Sequence, residues 1–234
     1  MRGRKIMEQK YITYNEHLSN KLLLLGFKRK SQHDFIRKCD DFIQTLSFIH
    51  SVTQSHTRDY TILVSIRNSQ MEKIGHDTEI YFVGGWSVNI GYLTPCENYK
   101  EWFVENSAPN DVRQEIIADM IKNIETFAIP FLNKYSDVKE LIHGIEEGNR
   151  FLSFHSGYKL PILYYLNGES ELAVSYMNEE LKRKAAKAAK VEDDYPFELL
   201  KRDEGSNTPQ QREYEDYKDF VGKVKLLIKE SSEL

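Results

Sequence analysis

Tyr60-Thr61-Ile62-Leu63-Val64-Ser65-Ile66-Arg67 places apolar residues at every second position, with Thr61, Ser65 and Arg67 among the residues between. A period of two gives a strand with one buried and one mostly wet face, the mark of an antiparallel sheet. Upstream, Phe42 to Ile49 is rich in the aromatic and β-branched residues that strands favour. Phe35 and Arg37 begin a shorter strand, with Asp40-Asp41 as the turn between the two. Downstream, Trp86, Val88, Ile90 and Tyr92 alternate again behind Gly84-Gly85, a pair that permits a bulge or bend. These segments predict four strands of one mainly antiparallel sheet.

Around that sheet the period lengthens. Tyr11, Tyr14, Leu18, Leu22 and Leu25 recur at three and four residues, predicting a helix over Met7 to Leu25 that stops at Gly26. From Asn110 or Asp111 as cap, Val112, Ile116, Met120, Ile124 and Phe127 predict a second helix ending before Pro130. Ser136 to Glu140 opens a short third helix that reaches His143 before Gly144. Phe151 to Leu166 and Ser170 to Lys190 form a helical hairpin across Asn167-Gly168, similar to one unit of a tetratricopeptide-like pair, and one unit does not make an array. Val191 to Glu213 has the composition of a polar loop, and Tyr214, Tyr217, Phe220, Val221, Val224 and Ile228 make a closing helix. Strands followed by helices predict an α+β fold with helices on one face of the sheet. The expected division is a sheet domain over 7–148 and a helical extension over 149–234 packed on it.

The chain of 234 residues is 40% apolar and 12% aromatic, too hydrophobic for intrinsic disorder. Its longest aliphatic run is Leu22 to Leu25, against the roughly 20 apolar residues a membrane span requires. The basic start Met1 to Lys5 is not followed by an apolar stretch, so a secretory signal is not read, and Met7 is an alternative start. Isolated Cys39 and Cys96, with no Asn-x-Ser/Thr signal, point to a reducing cytoplasm.

Chemistry leaves little trace. The seven histidines form no His-Glu-x-x-His pair and no partner for a Cys-x-x-Cys, and the nucleophile elbow, the phosphate loop and the dinucleotide glycines are absent from the sequence. The expectation is therefore no cofactor and no metal, with His50, His56 and His76 kept as residues that the fold is able to cluster. Charge is more informative. The net charge is −4, yet the first 30 residues hold eight Lys/Arg and two Asp/Glu, leaving the remainder at −10. Lys28, Arg29, Lys30, Arg37 and Lys38 form the candidate interaction patch, suited to phosphates or to an acidic protein surface.

The order Leu25-Gly26-Phe27-Lys28-Arg29-Lys30, Phe35-x-Arg37, Ile43-Gln44, Tyr60-Thr61-Ile62, Gly91-Tyr92-Leu93, Glu101-Trp102-Phe103 and Ile129-Pro130-Phe131-Leu132 resembles the bacterial family catalogued as domain of unknown function 4304, over Tyr11 to Gly148. The sequence departs from that pattern in lacking a tryptophan pair at Trp102-Phe103 and in inserting Gly84-Gly85. The resemblance implies a fold and a bacterial cytoplasm, and carries over no activity and no catalytic residue. The leading expectation is a non-enzymatic protein-interaction module, immunity-like in one version. The alternatives are an enzyme with a dispersed site, for instance His50, His56 and Tyr81, or a weak nucleic-acid binder working through the N-terminal basic patch.

Overall fold

The computed structural model describes residues 12–53, 57–80, 84–194 and 208–233. They divide into two compact units: the residues up to Gln70 with Gly85–Glu140, and those from Met71 to Gly84 with Leu141 onward. The class is α+β. Among the described residues no helix is long and apolar enough to cross a membrane.

The first unit is built on an antiparallel sheet of six strands rather than the expected four: β1 (Lys28–Arg29), β2 (Asp34–Cys39), β3 (Phe42–Thr53), β4 (Thr57–Asn68), β5 (Gly85–Asn89) and β6 (Trp102–Glu105). They run in the order β1-β2-β3-β4-β5, with β6 paired to β4. The β3–β4 hairpin is the spine, in register from Phe42 opposite Asn68 to Thr53 opposite Thr57. A twelve-residue β4 is long enough to pair two strands end to end, β5 along Leu63–Arg67 and β6 along Thr57–Tyr60. The two additional strands hold two and four residues, too few to register as a period.

Strand β5 also ends earlier than its alternation suggests. The Asn89 side chain accepts the Gly91 N–H at 2.8 Å and bends Ile90–Leu93 into a tight helical turn, so Tyr92 leaves the sheet.

Helix α1 (Glu16–Leu24) is capped by Asn15 and stopped at Gly26, whose φ of +87° allows the Phe27 N–H to reach Leu22 O at 2.9 Å. The expected residues 7–11 of this helix lie outside the described residues. Helix α2 (Ser69–Asp77) follows β4 directly. Helix α3 (Asn110–Asn123) does not end before Pro130. It widens through Ile124–Ala128, where the Ile129 N–H bonds Ile124 O, and continues as α4 (Ile129–Lys134). That wide turn is what admits a proline with no N–H to give. The buried stripe of α3 is Ile117, Met120 and Ile121, whereas Val112 is exposed.

The inner sheet face packs on α1, α3 and α4. Leu46, Phe48, Ile62, Val64 and Ile66 are fully buried there, as are Leu18 and Leu22 of α1 and Leu132 of α4. Burying each such side chain stabilises by about 1.5–3 kcal/mol. A polar pin crosses the same layer, where Gln44 donates to Leu132 O at 3.0 Å and to Ser136 Oγ at 2.7 Å.

The second unit is helical. Helix α5 (Val138–Glu146) spans the boundary and passes through Gly144 instead of stopping before it. Its end is Gly148, at φ +77°, with the Asn149 N–H on Gly144 O. Helix α6 (Ser156–Leu166) starts five residues later than Phe151, because His155 takes φ +58° just ahead of it. After the turn at Gly168, α7 (Ser170–Asp194) runs past Lys190. Helix α8 (Pro209–Ser232) begins at a proline first read as loop. Thr208 and Gln211 close a capping box, and Pro209 fits the first turn, where its missing N–H costs nothing.

Candidate functional site

The alternation of β2 divides the candidate interaction patch. Lys28 lies opposite Ile36, and Arg29 opposite Phe35. Lys28 and Lys38 therefore share the outer face of the sheet, and Arg29 and Arg37 the inner one. Arg37 donates to Gln44 Oε1 at 2.6 Å, to Leu25 O at 3.0 Å and to Asn133, and stacks 4.9 Å from the Phe27 ring centre. Arg29 bonds Thr13 O and Ser19 Oγ and covers Phe35. These two cations tie α1 and α4 to the sheet. Lys28, Arg29, Lys30 and Lys38 are all exposed, and Arg37 is half-buried.

Of the dispersed residues considered for catalysis, His56 and Tyr81 lie outside the described residues. His76 ends α2, its side chain exposed beside Asp77. His50 sits on the inner face of β3 between His33, 4.8 Å away ring to ring, and Tyr60 at 5.7 Å. Cys39 and Cys96 are free thiols, and no group of three or more metal-ligating side chains occurs among the described residues.

Tyr60 leads to the site that the linear pattern did not show. Its buried hydroxyl accepts the Ile12 N–H at 3.2 Å, and both residues line a cleft of about 690 Å³ within the first unit. Apolar Val104 and Ile117 also line the cleft. Asn15, Glu16 and His17 enter it from the first turn of α1, and Asn110, Arg113 and Gln114 from the start of α3. Arg58 comes from β4. Two helix N-termini thus line one cavity; that of α1 is capped by the Asn15 side chain, and the first turn of α3 carries Asp111. That of α3 has no side-chain cap bond.

Arg113 makes the wall rigid. Its Nε donates to Ala108 O at 3.1 Å and its Nη2 to Glu105 O at 3.1 Å and Asn106 O at 2.7 Å, so one guanidinium ties the β6–α3 loop to the helix. The cleft is assembled from segments near residues 12–17, 58–60 and 104–117, with no fixed spacing to betray it. The readable local signals were Asn15 before α1 and Pro109-Asn110 before α3, which mark helix starts but not their convergence.

Burial, with the neighbouring His33 and the charge of Arg58, holds the His50 imidazole below its ordinary value. The unfolded chain then binds the proton more readily than the folded one, so His50 costs stability as pH falls through the ordinary histidine range near 6.5 and costs nothing above it. Urea midpoints read by tryptophan fluorescence at pH 7.5 and 5.5 should drop further for the native chain than for His50→Gln. Superimposable drops would remove His50 as the source.

No protein-family model, no curated protein and no solved structure matches this chain.

Proposed function

We propose that this chain is a non-enzymatic protein-interaction module of the cytoplasm and that the polar cleft of its sheet unit is the recognition site. The observation that carries the reading is the lining itself. Asn15, Asn106, Asn110, Gln114, Arg58 and Arg113 line the cleft beside apolar Ile12, Val104 and Ile117. These groups orient and hold a ligand by hydrogen bonds and charge rather than by bonding to it covalently. The cavity falls within the range of about 300–1,000 Å³ that receives a small ligand or a few side chains of a partner. The resemblance to the domain of unknown function 4304 family extends, in the same proposal, to remote kinship of the sheet unit, which adds a fold and no activity.

A photo-crosslinking amino acid at Gln114, in the cleft, is expected to capture a discrete and reproducible protein partner in source cells. The same probe at Ser87, on the opposite sheet face, should capture none. No adduct from Gln114, or equal adducts from both positions, would overturn the reading.

A further inference from the structure

Charge on the outer face of the sheet is sorted to opposite corners. At one corner Lys28 and Lys38 flank Ile36 on β1 and β2, and Arg67 lies across Ile43 from Lys38. Lys30 and the inward Arg29 and Arg37 add to it; the carboxylates there are Asp34, bonded to Ser31 and Ser47, Asp41, bonded to Gln70, and Asp40 in the turn. At the other corner Glu101, one residue ahead of β6, and Glu105 flank Phe103, which lies opposite Asp59. The cations nearest to these carboxylates turn inward, Arg58 into the cleft, Lys100 to Asp119 and Arg113 to the Glu105 and Asn106 carbonyls.

The corners are too far apart to neutralise each other. Ile36 is opposite Thr45 and Thr45 opposite Ser65, six residues along β4 from Asp59, so Ile36 and Phe103 are about 25 Å apart on the face. Midway lie apolar Ile49, 46% exposed, and half-buried Leu63 diagonally across from it, while Phe103 is 62% exposed. A second copy turned about a two-fold axis at Ile49 and Leu63 brings each corner over the opposite one, and does so twice. An apolar centre inside a charged rim is the anatomy of a protein interface, and a patch of this span covers roughly 600 Å² per copy, the low end for a specific dimer.

We propose that the outer sheet face is the contact of a homodimer, in which the strip of Glu101, Phe103 and Glu105 of each copy lies over the strip of Lys28, Ile36 and Lys38 of the other. The cleft opens on the inner side of the sheet, so this dimer stands or falls apart from the recognition reading.

Sedimentation velocity of the full chain over a concentration series should show a species of twice the chain mass that dissociates on dilution, and more readily at about 1 M salt, where charges are screened within about 3 Å. Lys28→Glu with Lys38→Glu should weaken the dimer at least about tenfold, because like charges then face each other, and so should Glu101→Lys with Glu105→Lys. Mixed one to one, the two charge-reversed chains should associate with each other again, since each restores the match that the other has lost. All four positions are exposed, and circular dichroism checks that both variants keep the fold.

A chain that stays monomeric at every concentration would overturn the proposal, as would a dimer that either reversed variant keeps at native strength. Reversed variants that lose the dimer and do not regain it on mixing would refute the pairing of the two strips. Adducts of the chain with itself from the probe at Ser87, told by mass from a partner adduct, would support this contact and leave the cleft reading untouched.

Discussion

Gly91→Ala is expected to cost the sheet unit about 3–5 kcal/mol, a large part of the 5–15 kcal/mol by which an ordinary domain is stable. Gly91 is buried in the turn after β5, and a Cβ built there would press on the Asn98 carbonyl, 2.5 Å from Lys100 Cβ and 2.7 Å from Lys100 N. Two of those atoms belong to the backbone and cannot swing aside, so the segment before β6 must move. Overpacking of this kind costs about 1–3 kcal/mol.

The displacement also pulls apart a buried polar knot. Asn89 Oδ1 accepts the Gly91 N–H at 2.8 Å and the Lys100 N–H at 3.0 Å; Asn89 Nδ2 donates to Lys100 O at 3.3 Å and to Thr61 Oγ1; and Thr61 donates to Lys100 O at 3.1 Å. Each such bond contributes about 1 kcal/mol net, and leaving a buried partner unsatisfied costs more. Trp86 and Trp102, the only two tryptophans of the chain, lie on either side of the knot, so the urea midpoint read by their fluorescence reports this unit directly. A midpoint within experimental error of the native chain would show that the turn is free to relax.

Lys184→Ala should destabilise the helical unit by about 3 kcal/mol. The Lys184 side chain is 8% exposed and the Glu180 side chain 10%, with Nζ 3.6 Å from Glu180 Oε1 and also bonded to Glu213 of α8. The ammonium lies 5.2 Å from the Tyr217 ring centre and 5.8 Å from that of Tyr158 in α6, so one cation joins three helices. Removing one member of a buried ion pair costs about 3–5 kcal/mol because the other is left without its counter-charge. Arg183, which donates to Glu180 Oε2 at 2.7 Å, retains part of that compensation and places the loss at the low end.

Lys184→Met keeps the apolar stem, and combining it with Glu180→Gln should recover most of the stability, since neither charge then remains to be buried. Urea midpoints from the helical circular dichroism signal measure both. A double variant no better than Lys184→Ala would mean that the aromatic packing, not the charge balance, sets the cost.

Protonating Glu180 is the chemical counterpart of that deletion. The Arg183 bond, opposed by burial, holds this carboxyl below its usual value near 4.5. Its contribution is present above that value and is lost as pH falls through the lower folded one.

The fold was legible wherever a pattern is local. Alternation from Tyr60 to Ile66 reports which side chains face the core, because neighbouring residues of a strand point to opposite sides. Gly26 stops α1 because a positive φ is a requirement of the helix end itself, whereas its start at Asn15 falls inside the helix that the spacing from Met7 to Leu25 predicts. The same locality produced the errors. Locally Pro130 reads as a helix breaker and Pro209 as part of a polar loop, whereas the first is admitted by a widened turn and the second begins a helix.

Taken alone, the sequence determined the α+β class, the central hairpin with its buried face, and the helical hairpin around Gly168. Those follow from forces acting over a few residues. Only the tertiary structure decided that Trp102–Glu105 pairs with the far end of β4, and that Arg29 and Arg37 face inward while Lys28 and Lys38 face outward. It also decided that Asn15, Arg58 and Arg113 meet at one cleft. A four-residue strand carries too little pattern to name its partner, and groups 40 or more positions apart are brought together by the whole sheet, at a loop-closure cost that leaves no mark on the residues in between.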